Sequence, residues 1–152
     1  MDHANMTSGH ARHINREARD MEFVALYNET LKLMVDRDAP SPRRSAIRFV
    51  INNGHPRYYV SYKRAYEVVR QLLRSGKMPT GKSLQVQMWQ ELAGRVDTLC
   101  RDTGMSIAGA LEFVLEHCRA TRFYISERHA DSILDRARQQ YRQRKLARVH
   151  TA

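Results

Sequence analysis

The stretch "HPRYYVSYKRAYEVV", His55 to Val69, returns in altered form as "ATRFYISERHADSIL", Ala120 to Leu134. A phrase used twice within 152 residues constrains the fold more tightly than composition does, because it asks for one structural unit built twice. With Ala46 set against Ala110, "AIRFVINNGHP" lies over "ALEFVLEHCRA". After one extra residue, Thr121, the run Arg57-Tyr58-Tyr59-Val60-Ser61 lies over Arg122-Phe123-Tyr124-Ile125-Ser126. Further on, Ala65, Val68 and Val69 match Ala130, Ile133 and Leu134. The matches fall where a core or a turn needs them, and the positions between vary freely.

Apolar spacing predicts three helices per copy. The first runs over 16–37, with Phe23, Leu26, Tyr27, Leu31 and Met34 at steps of three and four. Its counterpart covers 83–102, with Met88, Leu92, Val96, Leu99 and Cys100. The second helix opens at Ser41-Pro42, a capping residue followed by a proline suited to the first helical position. Ile47, Val50 and Ile51 form its apolar face. In the second copy Ser106 caps, and Leu111, Val114 and Leu115 form that face. The third helix runs over 62–75, with Ala65, Val68, Val69, Leu72 and Leu73 inward and Lys63, Arg64, Arg70, Arg74 and Lys77 outward.

The repeated phrase bridges the second and third helices. Pro56 ends the helix before it, and Ser61 and Ser126 each precede a helical pattern as N-caps. Tyr58, Tyr59, Phe123 and Tyr124 are expected to pack beneath their own unit, in preference to forming a stacking platform for bases.

The expected architecture is all-α, with two related three-helix units in tandem. Residues 1–15 are expected to be a disordered N-terminus. The first unit spans 16–77, a linker 78–83, the second unit 84–145 with a basic C-terminal helix, and a tail 146–152. Three helices whose last is basic resemble the helix-turn-helix DNA-binding proteins, in which that last helix enters the major groove. The phrase "PRYYVSYKRAYEVV" also resembles uncharacterised small proteins of bacterial mobile elements. The helix-turn-helix resemblance implies DNA binding through the third helix, while no function comes with the second resemblance; the expected role is that of an accessory or regulatory factor.

Charge points the same way. The formal net charge is +10, which favours a polyanionic partner. The candidate nucleic-acid-binding residues in the first unit are Arg43, Arg44, Arg48, Arg57, Lys63, Arg64 and Arg70. The stretch "RARQQYRQRKLARVH", Arg136 to His150, adds six cations and no acid, among them Arg138, Arg142, Arg144 and Lys145. Such cations hold phosphate by releasing counterions. The second unit replaces Arg48 with Glu112 and Asn52 with Glu116, and carries Asp131 and Asp135. Such a face repels phosphate and is expected to contact the first unit, another subunit or a basic partner. The alternative function is therefore a helical adaptor, or an RNA-binding component of a ribonucleoprotein, with DNA favoured over RNA.

Other chemistries find little support. "GKMPTGKS", Gly76 to Ser83, has the spacing of a phosphate loop, but a basic helical pattern precedes it where such a loop follows a strand. Cys100 and Cys118 continue apolar faces, and no paired ligand spacing marks a zinc site. No cofactor, metal or catalytic constellation is expected. No apolar run suits a membrane span, the cationic tail is short of bulky apolar residues, and the N-terminus lacks a signal-peptide core. The expected location is cytoplasmic.

Overall fold

The computed structural model describes the backbone of residues 8–36 and 40–150, and the side chains of 15–34 and 40–150. Among these residues there are six helices and no strand. They are α1 (Ser8–Asp36), α2 (Pro42–Asn53), α3 (Tyr62–Ser75), α4 (Ser83–Thr103), α5 (Ile107–His117) and α6 (Glu127–His150). No described helix is long and apolar enough to cross a membrane.

Local chemistry sets most boundaries. The Oγ atoms of Ser61, Ser106 and Ser126 accept hydrogen bonds from the backbone N–H groups of Arg64, Gly109 and His129 at 3.2, 3.1 and 3.0 Å. Each bond satisfies a donor that a helix start leaves without a partner. Gly76 closes α3 in the left-handed region at φ 68°, and its N–H reaches the Leu72 carbonyl. Two expectations fail. Ser41 precedes Pro42 as expected, but its φ is 52° and its side chain caps nothing. Helix α1 starts at Ser8 and not near residue 16, since no breaker interrupts the chain between His10 and Asp36. Residues 1–7 of the expected disordered segment lie outside the described residues, as do 151–152 of the tail.

The helices group in a way their order does not suggest. Helix α6 packs on α1 and α2, while α3 packs on α4 and α5. Among the described residues α3 makes no close backbone approach to α1 or α2, nor α6 to α4 or α5. Two cores result. One joins Phe23 and Tyr27 of α1, Ile47, Val50 and Ile51 of α2, and Ile133 and Leu134 of α6. The other joins Val68 and Val69 of α3, Trp89, Leu92 and Val96 of α4, and Leu111 and Val114 of α5. The consecutive triplets 16–77 and 84–145 therefore do not close on themselves: each third helix serves the other pair.

The connectors explain the exchange. In extended backbone, successive side chains point to opposite sides. Tyr58 and Val60 point into the α3–α4–α5 core, while the hydroxyl of Tyr59, between them, donates to Glu22 of α1. Phe123 and Ile125 point into the α1–α2–α6 core, and the Tyr124 hydroxyl donates to Glu91 of α4 at 2.9 Å. Each connector is thus fastened to both helix groups. Tyr58 and Phe123 are core residues, but in the core of the other pair and not beneath their own; Tyr59 and Tyr124 are half-buried.

The two connectors also bond to each other. The Ala120 N–H donates to the Pro56 carbonyl at 2.7 Å, joining the connectors, and the Phe123 N–H donates to the Ile51 carbonyl of α2 at 2.8 Å. Gly54 lies at this crossing. A Cβ there would sit 2.4 Å from the Phe123 ring and 2.6 Å from the Val50 carbonyl oxygen, so only glycine lets the ring through.

Candidate nucleic-acid interface

The structure separates the cations that the sequence placed together. Arg43, Arg44 and Arg48 lie on α2, beside α6, whereas Lys63, Arg64 and Arg70 lie on α3 in the other helix group. Arg57 is exposed on the connector between them.

On α2 two of the three arginines already have partners. Arg43 Nη2 lies 3.1 Å from both Asp131 and Asp135 of α6, and Arg48 Nε lies 2.8 Å from Glu127. Burial opposes the Arg43 charge, but the hydrogen bonds it donates to Asp135 and Asp131 outweigh it and raise its pKa. All these groups are substantially solvated, so each pair adds at most about 1 kcal/mol to stability. A fully buried Leu or Phe side chain adds about 1.5–3 kcal/mol, and apolar packing therefore holds α6 in place. The ion pairs matter more for recognition: two cations face three carboxylates, which leaves one negative charge in excess. Arg43 and Arg48 are poorly placed for phosphate. Arg44, on the same helix, is exposed.

Helix α6 divides into two halves. Glu127, in the first turn, stands where the positive end of the helix dipole favours an acid, and Asp131 and Asp135 follow at steps of four along the same half. From Arg138 to His150 every residue is exposed and none is acidic. This stretch carries Arg138, Arg142, Arg144, Lys145 and Arg148 over about 20 Å of helix. Tyr141, Leu146 and Val149 are 60–67% exposed along it, so no core shields it from a partner. Arg136, two residues earlier, lies 3.6 Å from Asp20 of α1.

On α3, Lys63 is exposed and Arg64 stands 3.8 Å from Glu67. The Arg70 guanidinium lies 5.9 Å from the Tyr66 ring centroid, and Tyr66 stacks with Tyr62 at 6.1 Å and an interplanar angle of 13°. An open hollow of about 400 Å³ runs beside Tyr66, Arg70 and Arg74. Sequence reasoning passed over Tyr62 and Tyr66, although their spacing of four, continued by Arg70 and Arg74, marks one stripe of a helix.

Hydroxyls at the connectors serve packing. Burial, then the Glu22 hydrogen bond, raises the Tyr59 pKa well above its ordinary value. Burial, then the Glu91 charge, does the same to Tyr58, whose buried oxygen has no well-formed hydrogen bond. Cys100 and Cys118 are free thiols, partly buried against the α3–α4–α5 core. Among the described residues no cluster of three His, Cys, Asp or Glu could hold a metal ion. The chain from Gly76 to Ser83 joins two helices, and no strand precedes it.

Compared with protein-family models, curated proteins and solved structures, the chain matches none of them.

Proposed function

We propose that this chain binds nucleic acid, DNA in preference to RNA, as an accessory or regulatory factor that grips the phosphate backbone. One observation carries the proposal: the acid-free, fully exposed cationic half of α6 from Arg138 to His150, in the same helix group as exposed Arg44. A helix of this kind neutralises phosphates and releases their counterions without reading bases. Arg57 and Lys63 are further exposed cations, while Arg43 and Arg48 are paired with acids of α6.

The same proposal reads the six helices as two related units with exchanged third helices, similar in plan to paired helix-turn-helix modules. What supports it is the correspondence of Tyr59–Glu22 with Tyr124–Glu91, and of Tyr58 with Phe123.

The test is duplex binding measured against salt. Deleting the chain from Arg138 onward removes, among the described residues, only exposed side chains and no core residue. It should weaken binding more than about tenfold at low salt and lower the slope of log K against log salt by about four, for five lost cations. An unchanged slope would refute the proposal.

A second reading, a helical adaptor, is favoured by Phe113 and Met105. Each is 42% exposed, on or just before α5, the helix that also carries Glu112 and Glu116. Arg44→Glu separates the two readings, since it should weaken nucleic-acid binding and leave docking of a protein on α5 intact.

A further inference from the structure

We infer that the outer face of α3 is a binding site for unpaired nucleotides, with bases stacking on Tyr62 and Tyr66 while Arg70 and Arg74 hold the phosphates. The inference shares with the proposed function only the class of partner, because α3 belongs to the other helix group and α6 plays no part in it.

The stripe is built by spacing. Tyr62, Tyr66, Arg70 and Arg74 follow one another at four residues, about 6 Å apart along the helix. Tyr62 is 44% exposed, although aromatic rings are ordinarily drawn into a core. It is also held in place: its ring stacks with Tyr66 and its hydroxyl donates to the Ala108 carbonyl of α5 at 3.4 Å. A ring fixed with a face open to solvent has little freedom left to lose when a base stacks on it. The Arg70 guanidinium lies against Tyr66, and the hollow beside both ends at Arg74. The carboxylate on this face, Glu67, stands 3.8 Å from Arg64.

The corresponding face of α6 shows what is unusual here. Aligned through Ala65 and Ala130, Tyr62, Tyr66 and Arg70 fall on Glu127, Asp131 and Asp135. Those three acids face arginines of α2. On α3 the same positions are aromatic and cationic, and the Arg70 guanidinium has a ring beside it where its counterpart Asp135 has an arginine. Aromatic rings beside cations suit a ligand with both π-faces and negative charge. A duplex hides its base faces within the stack, so the fitting ligand is a single strand.

The test compares oligothymidine with a duplex of matched length on the full chain. Tyr62→Ala should weaken oligothymidine binding about fivefold or more. Tyr62→Phe should retain it, since the ring stacks and the hydroxyl does not. Duplex affinity and its salt slope should be unchanged by either. The inference is overturned if the alanine variant binds oligothymidine as wild type does, if the phenylalanine variant loses as much as alanine, or if polyglutamate displaces oligothymidine as readily as unlabelled oligothymidine does. Should Tyr62→Ala lose helix content, the exposed pair Arg70→Glu and Arg74→Glu replaces it, and retained single-strand affinity in that variant counts against the site. Duplex binding that survives alongside a failure of these variants sinks this inference alone. Binding to neither polymer sinks both.

Discussion

The two helix groups differ in how their third helix is held. In α1–α2–α6 the third helix comes from the far end of the chain, and its charges pair across helices: Arg43 with Asp131 and Asp135, Arg48 with Glu127, Arg136 with Asp20. In α3–α4–α5 the helices are consecutive, and the ion pairs lie within single helices: Arg64–Glu67, Arg95–Glu91 and Arg101–Asp97. Consecutive helices need only short loops to meet, whereas α6 must return across the whole second half of the chain. Charge complementarity between helices is found where the partner is distant and alternatives must be rejected. Had α3 taken α6's place on α2, Tyr66 and Arg70 would stand where Asp131 and Asp135 now meet Arg43, and an arginine would face an arginine. Like charges so placed are unfavourable, which selects α6.

The largest test of this contrast is Phe123→Ala. Phe123 is fully buried in the α1–α2–α6 core and meets Phe23 edge to face at 5.3 Å. The substitution should cost about 3–5 kcal/mol in urea unfolding. Native-state hydrogen exchange should then show α1, α2 and α6 opening before α3, α4 and α5. Uniform loss of protection in all six helices would mean the two groups are one cooperative unit.

A smaller effect is expected from Asp131→Asn combined with Asp135→Asn. These exposed pairs should yield about 1 kcal/mol or less, falling further at high salt, where Asp97→Asn on α4 should cost a few tenths. The double variant also releases Arg43, so duplex affinity should rise while stability falls. A fall in both would show that Arg43 serves structure alone.

The smallest effect is on pH. Burial, then the Arg19 charge, lowers the His129 pKa below its ordinary 6.5, with Arg136 and Lys82 adding to it and Asp20 opposing. The unfolded chain therefore takes up this proton more readily than the folded one. The stability that depends on neutral His129 is present above pH 6.5 and is lost as pH falls through and below it. Thermal unfolding at pH 7.5 and 5.5 should show this loss, and His129→Gln should reduce it. An equal pH response in the variant would assign the effect elsewhere.

Much of the local structure was legible. Serines ahead of apolar periodicity marked the starts of α3, α5 and α6, and steps of three and four marked the inner faces. Trp89 and Ala93 were passed over, although both are buried in α4. For the candidate interface, the exposed cationic run of α6 was legible because it holds no acid. Contact between the acidic face of the second unit and the first unit was among the readings, but the particular pairing of Arg43 and Arg48 was not legible, because their partners lie 79 or more positions away.

The sequence by itself determined that the chain is helical, where α3, α5 and α6 are capped, and which stripe of each is apolar, because these depend on neighbours within about four residues. It could not assign α3 and α6 to their partners: Ala65-Val68-Val69 and Ala130-Ile133-Leu134 present nearly the same apolar triad, and either would fit either pair. The tertiary structure decided that assignment. The alternating aromatics of two crossing connectors, a glycine that admits Phe123, and the acids facing Arg43 and Arg48 act only once distant segments meet.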